Sequence, residues 1–205
     1  MKKFFTTYEY KRIVFSVLVS SVSRNLIFIR RILKELILIS LLSVLALTSS
    51  SQNRDSFTIY VFLLDECRIC QEVSPELRKI AEIALENSIG MVGYFPNFAT
   101  TEGGMQKFVK KQKINFPVFL DHDKKIAARF SATVLPEVVV WNETKQEIFY
   151  RGAINNLFFA PGKRRHHISQ NYLQDAIFAV QNGVLPVNQN TEPIGCLINY
   201  SENRL

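Results

Sequence analysis

The sequence lacks the ligand spacing of a structural zinc site and the long apolar run of a transmembrane helix. Its three cysteines and three histidines include neither a second Cys-x-x-Cys nor a suitably spaced His pair, so a structural zinc site, which needs about four ligands, is not indicated. No uncharged apolar run reaches the roughly 18–20 residues of a confident transmembrane helix. No internal repeat or low-complexity segment is present. The 47% of hydrophobic residues excludes a disordered protein and favours one globular domain with a core.

The larger part of the sequence also lacks an excess of charge. The chain carries a net charge of +7, but residues 1–50 hold 8 Lys/Arg against 2 Asp/Glu, whereas residues 51–205 hold 17 against 16. The high isoelectric point therefore belongs to the N-terminal segment. A basic face for nucleic acid is not expected on the folded part of the chain.

The N-terminal segment has the pattern of an export signal or a membrane anchor. Three basic residues precede the apolar run Leu36–Leu47, and small residues follow it. A second apolar patch, Ile13–Val22, lies upstream, so an uncleaved anchor stays open beside a cleaved signal. No cysteine near Ser49–Ser51 offers a lipid-attachment site. Residues 1–52 are therefore assigned to a signal or anchor, and their basic flank predicts a domain that is periplasmic or anchored to the outer face of the cytoplasmic membrane.

The predicted domain, residues 53–183, begins with a strand and a helix. The run Phe57–Leu64 is β-branched and aromatic and is apolar at seven of eight positions, which predicts a strand buried on both faces. Apolar residues at three- and four-residue steps then predict a helix that ends at about Asn87. Its buried face is expected to hold Val73, Leu77, Ile80, Ala81 and Leu85.

The rest of the domain alternates strand and helix patterns and ends in a hairpin followed by a helix. Strands are predicted at Gly90–Phe95, Glu137–Trp141 and Glu147–Tyr150, with a short strand in FPVFLDHD and a final helix that stops at Gly183. The order β, α, β, α, β, α, β, β, α predicts an α/β sandwich with a mixed central sheet. Residues 184–205 are expected to form an irregular tail.

Cys67 and Cys70 lie three positions apart, directly after the first strand and at the start of the first helix. Unpaired N–H groups and the dipole at a helix N-terminus stabilise a thiolate, so Cys67 is expected to be acidic and nucleophilic. Arg68 favours the thiolate, whereas Asp65 and Glu66 oppose it. Cys70, one turn along on the same side, is placed to attack a mixed disulfide on Cys67. A purely structural bridge here would restrain the unfolded chain little.

Three segments in order, LLDECRICQ, ATVLPEVVVWN and EIFYRGAINN, resemble the thioredoxin-like superfamily. The resemblance is to its bacterial redoxin branch, which joins alkyl hydroperoxide reductase/thiol-specific antioxidant domains and TlpA-type thiol-disulfide oxidoreductases, and it covers about residues 56–181. It implies a three-layer α/β/α sandwich with a central mixed sheet. It also implies a cis peptide bond before Pro136, which would lie against the cysteine pair and leave the preceding backbone free to pair with a substrate peptide. Such chemistry needs no organic cofactor or metal.

The sequence departs from this family's pattern at three positions. A peroxiredoxin usually has Thr or Ser three residues before its peroxidatic Cys, whereas this sequence has Leu64. Disulfide exchange is therefore a better prediction for this sequence than peroxide reduction. Thioredoxins often bury a carboxylate six residues before the first Cys, where this sequence has Val61. Glu137 is the candidate to accept a proton from Cys70 instead. Leu135 replaces the Thr common before the cis-proline.

Cys196 leaves an odd number of cysteines and admits two interpretations. It is either a small tail residue, or the tail folds back so that Cys196 resolves Cys67 or stores a second disulfide. Resemblance to bacterial redoxin-domain proteins that end in GC.I, present here as IGCLI, favours the second interpretation, whereas Cys70 makes it redundant.

The leading prediction is an exported or membrane-associated thiol-disulfide oxidoreductase that acts on protein or small-molecule thiols and disulfides. Cys67 would attack the substrate disulfide, Cys70 would resolve the adduct and Pro136 would shape the docking groove. Two alternatives stay open: a thiol peroxidase that uses Cys67, and a non-enzymatic copper carrier that uses Cys67, Cys70 and His122. Copper-delivery proteins of this fold normally have three residues between the cysteines, which argues against the carrier.

Overall fold

The computed structural model describes residues 30–31, 33–40 and 55–201 of the chain. Residues 30–31 and 33–40 are helical. Within the described ranges, no helix has both the length and the apolar character needed to cross a membrane. Most of the predicted signal or anchor at residues 1–52 lies outside the described residues.

A mixed sheet of five strands forms the centre of residues 55–201. The strands of this part of the chain are β1 (Phe57–Phe62), β2 (Gly90–Phe95), β3 (Val118–Leu120), β4 (Val134–Leu135), β5 (Glu137–Asn142), β6 (Glu147–Gly152), β7 (Phe158–Ala160), β8 (Lys163–Arg164) and β9 (Cys196–Leu197). The central sheet has the order β3-β2-β1-β5-β6, with parallel pairs among β1, β2 and β3 and antiparallel pairs of β5 with β1 and β6. Because β1 pairs on both edges, it holds Ile59 and Val61 fully buried in the middle of the sheet.

Helices flank this sheet, which confirms the predicted α/β class. They are α1 (Arg68–Glu86), α2 (Glu102–Gln112), α3 (Lys125–Arg129) and α4 (Tyr172–Asn182). The predicted stop of α4 at Gly183 is confirmed, since this residue has the left-handed backbone, with φ of 64°, that ends helices. The hairpin of β5 and β6 is confirmed as well, and each strand extends beyond its predicted end.

Helix α1 packs its apolar stripe on the core, with one change from the prediction. Val73, Leu77, Ile80 and Ala81 are buried as expected, but Leu85 is 80% exposed and Ala84 is buried instead. Ala84 lies seven residues, or two helical turns, after Leu77 and so faces the same side, whereas Leu85 is rotated by one further residue. The backbone N–H of Ile89 donates to the Ala84 carbonyl as the chain leaves the helix. The prediction of a buried Leu85 is therefore wrong.

The segment after Gly183 is more ordered than the sequence pattern predicts. Asn190 forms a bridge with Arg151 of β6, and the Thr191 N–H donates to the Arg151 carbonyl. Further on, β9 pairs antiparallel with β4, the two residues that directly precede Pro136. The tail therefore runs first along the edge strand of the main sheet and then along β4.

The two leucines of α1 offer a matched test of the core. Leu77→Ala removes a side chain with no exposed surface, so it should lower the free energy of unfolding by about 2–5 kcal/mol. Leu85→Ala, the same change on the same helix, should alter it by less than about 0.5 kcal/mol because the side chain already faces solvent. Urea unfolding of both variants measures the difference, and equal losses would contradict this packing of α1.

Candidate active site

Cys67 and Cys70 lie where the chain turns from the end of β1 into α1. Cys67 is the residue before the helix and has extended backbone angles, while Cys70 occupies the first helical turn. The Cys67 N–H donates to the Leu64 carbonyl, and the Ser74 hydroxyl donates to the Cys70 carbonyl over 2.7 Å. Cys67 is 3% exposed and Cys70 is fully buried. The turn thus holds two reduced thiols beneath the surface at a helix N-terminus.

The surroundings of Cys67 lower the pKa of its thiol to about 5. The largest cause is a hydrogen bond from the Cys70 thiol, and the backbone N–H of Cys70, the Cys196 thiol and the backbone N–H of Ile69 act in the same direction, against the effect of burial. The Cys67 side chain makes no helix-capping hydrogen bond of normal geometry, but the amides are close enough to favour its charged form. Cys67 is therefore a thiolate at neutral pH.

Cys70 has the opposite character. Burial is the largest cause that raises the pKa of its thiol well above the ordinary value, and the neighbouring Cys67 thiolate raises it further. A proton therefore stays on Cys70 while Cys67 is charged. Thiol-disulfide exchange needs one thiol that attacks the substrate and a second that resolves the mixed disulfide. This pair suits both steps, because Cys67 is ready to attack while Cys70 keeps its proton until Cys67 has reacted.

Cys196 completes a group of three sulfurs. Its Sγ lies 3.2 Å from the Sγ of Cys67, although 129 positions separate the two residues in the sequence. Burial is the first cause that raises the pKa of Cys196 to about 11, followed by its hydrogen bond to Cys67 and the charge there. Cys196 thus donates its hydrogen to the Cys67 thiolate.

Pro136 is buried and follows a cis peptide bond with Leu135. The Leu135 carbonyl oxygen lies 3.5 Å from the Cys67 Sγ, so the backbone directly before the proline contacts this sulfur. Pro136 also lines a small cleft beside the site with Ile69 and Val73 of α1 and with Ile194 of the tail. The structure therefore brings the three residues predicted to be catalytic to one place.

The carboxylate of Glu137 forms hydrogen bonds with groups other than Cys70, the residue from which it was predicted to accept a proton. It is 1% exposed; one carboxylate oxygen accepts from the Arg151 Nε over 2.6 Å, and the other accepts from the Thr133 and Val134 N–H groups. Arg151 also donates to the Ser131 carbonyl. These bonds fix the loop that leads into β4, so Glu137 holds the backbone beside Cys67 in position and makes no hydrogen bond to Cys70.

Arg68 does not act on Cys67 as the sequence suggested. Its side chain is 89% exposed, and its Nε pairs with Glu72 over 2.9 Å, one turn along the surface of α1. Contacts with thiols and backbone amides, rather than a cationic side chain, lower the pKa of Cys67.

His122 hydrogen-bonds through its Nε2 to the Thr100 carbonyl over 2.7 Å, so that nitrogen carries the hydrogen. In the part of the chain that the structure describes, no group of three or more His, Cys, Asp or Glu side chains is arranged to hold a metal ion. The copper interpretation therefore gains no support from this site.

Two residues important to the site escaped sequence reasoning. Gly195 passes so close to β4 that an added Cβ would lie 2.0 Å from the Leu135 carbonyl oxygen. Arg151 pairs with Glu137. The IGCLI and YRG motifs contain both residues, but a motif alone does not say which distant backbone each one meets.

Comparisons with known proteins agree with this fold. A family model described as the AhpC/TSA family matches residues 46–152, just over half of the chain. An uncharacterized conserved protein from Geobacillus kaustophilus has 20% identity and a TM-score of 0.61, covering 73% of this chain and 80% of that one. A hypothetical protein from Sinorhizobium meliloti 1021 has 19% identity and a TM-score of 0.63, covering 73% of this chain and 82% of that one. No curated protein matches the sequence.

Replacing Cys70 should change the acidity of Cys67 more than replacing Cys196. Cys70→Ala removes the largest cause of the lowered pKa, so alkylation of Cys67 should rise with pH through a clearly higher midpoint than the value of about 5 in the parent protein. Cys196→Ala, the matched control, should shift the midpoint less. The measurement is the iodoacetamide rate at Cys67 against pH, read by mass spectrometry. A larger shift in the Cys196 variant would contradict the assigned causes.

Proposed function

Because the chain belongs to the AhpC/TSA family and is an oxidoreductase by that membership, we propose that it exchanges thiols and disulfides through Cys67 and Cys70. The observation that carries the proposal is the cysteine turn, which places Cys67 directly before α1 and the fully buried Cys70 in its first turn, and which lowers the pKa of Cys67 to about 5 and raises that of Cys70. Strongly perturbed thiols that face each other are typical of reactive sites.

The proposed reaction proceeds in two exchanges. The Cys67 thiolate attacks one sulfur of a substrate disulfide, a bond forms between Cys67 and that sulfur, and the other substrate sulfur leaves as a thiolate that takes a proton from solvent. Cys70 then loses its proton and attacks the Cys67 sulfur. The second substrate thiol leaves, the Cys67–Cys70 disulfide remains, and the substrate has gained two electrons and two protons.

The charges of the site favour this order of events. While Cys67 is a thiolate, its charge helps to keep the proton on Cys70. When Cys67 is bonded to a substrate sulfur, that charge has gone, so one obstacle to ionising Cys70 disappears. The resolving step is thereby delayed until the mixed disulfide exists.

Leu64 is the main reason to rank exchange above peroxide reduction. Its aliphatic side chain occupies the position three residues before Cys67 and has no hydrogen to donate to a peroxide oxygen. The side chains beside the Cys67 sulfur are two thiols, and the Leu135 carbonyl oxygen and the first amides of α1 also lie near it. Such surroundings suit a sulfur substrate.

The expected substrates are disulfides of proteins or small thiols. The Leu135 backbone lies beside the Cys67 sulfur and pairs with Cys196 of β9, so this place in the fold suits an extended strand, and backbone pairing binds peptides without regard to their side chains. The N-terminal pattern of basic residues, an apolar run and small residues supports a place outside the cytoplasm, where disulfides persist.

Reduction of insulin disulfides, with dithiothreitol as electron donor, tests the activity. The protein should accelerate the reduction, and Cys67→Ser should lower the rate to that of dithiothreitol alone because the nucleophile is lost. Cys70→Ser combined with Cys196→Ala should instead accumulate a mixed disulfide on Cys67, visible by intact mass, because no thiol then remains beside the Cys67 sulfur. Hydrogen peroxide should be consumed no faster than in the buffer.

Two results would overturn this proposal. One is a Cys67→Ser variant that reduces insulin at the parental rate. The other is peroxide consumption that depends on Cys67 and exceeds insulin reduction, which would establish the thiol peroxidase instead. Leu77→Ala, which removes a core side chain far along α1, serves as a control for loss of activity through lower stability.

Export can be tested with a phosphatase reporter that is active only outside the cytoplasm. The full chain fused to this reporter at its C-terminus should give active phosphatase in a bacterial host. The same fusion without residues 1–52 should be inactive, because the predicted signal or anchor is gone. Equal activity of the two fusions would contradict the proposed location.

A further inference from the structure

The last part of the tail lies across the candidate active site as an added strand. We name residues 194–200 the tail segment. Within it, β9 pairs with β4 in a register that sets Cys196 opposite Leu135. The Ile198 N–H donates to the Thr133 carbonyl over 2.9 Å, and the Tyr200 hydroxyl donates to the Ala132 carbonyl over 2.7 Å. The tail segment is therefore held to the backbone that leads into Pro136.

The fit between the tail segment and this backbone is close. Gly195 lies so near to Leu135 that an added Cβ would be 2.0 Å from its carbonyl oxygen and 2.6 Å from its carbonyl carbon. Ile198 is 9% exposed and joins the core of the domain. The close approach of Gly195 and the burial of Ile198 indicate that the tail segment binds at one specific site on the domain.

The same pairing of the tail segment with β4 brings the sulfur of Cys196 close to that of Cys67. The Leu135 carbonyl lies beside Cys67, and Cys196, opposite Leu135, has its Sγ at 3.2 Å from the Cys67 Sγ. A disulfide bond is about 2.05 Å long, so an approach of about 1 Å would join the two sulfurs. Strand pairing supplies this closeness.

We propose that the tail segment is a built-in substrate strand, which pairs with the backbone before Pro136 and presents Cys196 to Cys67 as an intramolecular exchange partner. This inference rests on the proposed function, because it needs a nucleophilic Cys67. It assigns Cys196 a part in the reaction: Cys67 exchanges disulfides with Cys196 as well as with Cys70.

The exchange can be written without any added oxidant beyond a substrate disulfide. The Cys67 thiolate attacks oxidised glutathione, forms a mixed disulfide and releases one glutathione thiolate. Cys196 then loses its proton and attacks the Cys67 sulfur, so that a Cys67–Cys196 bond forms and the second glutathione leaves. The first glutathione thiolate takes a proton from solvent and the second takes the proton that Cys196 loses, so one glutathione disulfide is reduced to two thiols while Cys67 and Cys196 are oxidised to a disulfide.

Whether Cys67 is a thiolate or part of a disulfide also affects the pKa of the Cys196 thiol. The hydrogen bond to the Cys67 thiolate and its charge both raise the pKa of Cys196, in addition to burial. Both influences disappear when Cys67 carries a disulfide. Cys196 therefore becomes a better nucleophile at the stage when its attack is productive.

Occupation of β4 has a consequence for external substrates. An extended peptide can pair with the edge of β4 that faces the tail segment only after the tail segment has left it, because β9 already pairs with that edge. A variant that weakens the tail segment should therefore reduce insulin faster, on the order of tenfold if about two hydrogen bonds are lost.

Trypsin separates the three cysteines and so makes the disulfide directly visible. Cleavage after Arg68 leaves Cys67 in residues 55–68 and Cys70 in residues 69–78, while Cys196 falls in residues 166–204. The test uses the full chain with Cys70→Ser, whose hydroxyl retains a hydrogen-bonding group beside Cys67. After treatment with oxidised glutathione and blocking of free thiols, the main product should be a peptide pair that joins Cys67 to Cys196.

Two glycine variants test whether the strand directs this bond. In the Cys70→Ser background, Gly195→Ala places a Cβ against Leu135, so the linked peptide should fall several-fold and glutathione bound to Cys67 should replace it. Gly103→Ala, whose Cβ would meet no atom within 4 Å, should leave the linked peptide unchanged. With Cys70 restored, the Gly195 variant should reduce insulin faster than the Gly103 variant.

The outcomes separate this inference from the proposed function. If Cys67 of the Cys70→Ser variant carries glutathione and no link to Cys196, the tail segment is not an exchange partner, and the nucleophilic role of Cys67 stands. A linked peptide that is equally abundant in both glycine variants, or equal insulin rates, overturns the role of the strand. If Cys67 forms neither product, the proposed function itself fails.

Discussion

The placement of the Cys70 thiol one helical turn after Cys67 is the constraint on which the rest of this site depends. The hydrogen bond of this thiol to Cys67 is the largest cause of the lowered pKa of Cys67, and the same contact raises the pKa of Cys70. It exists because a helix begins directly after Cys67 and carries Cys70 back to the same side one turn later. Burial, which alone would oppose a thiolate, is outweighed by these donors.

Three parts of the fold hold the two cysteines in place: β1, α1 and the loop before Pro136. Strand β1 ends beneath the cysteine turn, and α1 presents its first amides to Cys67. The Glu137–Arg151 pair holds the loop that brings the Leu135 carbonyl to the Cys67 sulfur. The Arg151 backbone also bonds to the tail through Gln189 and Thr191. One residue of β6 thus joins the site, the loop before Pro136 and the tail.

The sequence predicted best those features that depend on neighbours along the chain. The burial of β1, the start of α1 at the cysteine pair and the stop at Gly183 follow from apolar patterns and helix-end chemistry. The burial of Leu85 was predicted wrongly because two adjacent positions, 84 and 85, fit the spacing equally well. Only the packed helix decides between them.

Features that join distant parts of the chain were harder to predict. The sequence left open whether Cys196 is a tail residue or a partner of Cys67, since nothing local specifies that residues 194–200 pair with β4. The partner of Glu137 could not be predicted for the same reason, because Arg151, which pairs with its carboxylate, lies fourteen residues away in the sequence. Composition and spacing do not report such pairings, whereas burial and hydrogen bonds do.

The acidity of Cys67 in the reduced protein is the quantity on which both proposed exchange reactions depend. A lowered pKa also means that the thiolate stabilises the reduced fold above the unfolded thiol's pKa of about 8.5, and that this stabilisation is lost as the pH falls through the folded value. Ultraviolet absorbance of the thiolate against pH measures it most directly. We expect a step of one thiolate with a midpoint near pH 5, absent in Cys67→Ser. Absorbance that first rises near the pKa of an ordinary thiol would contradict it.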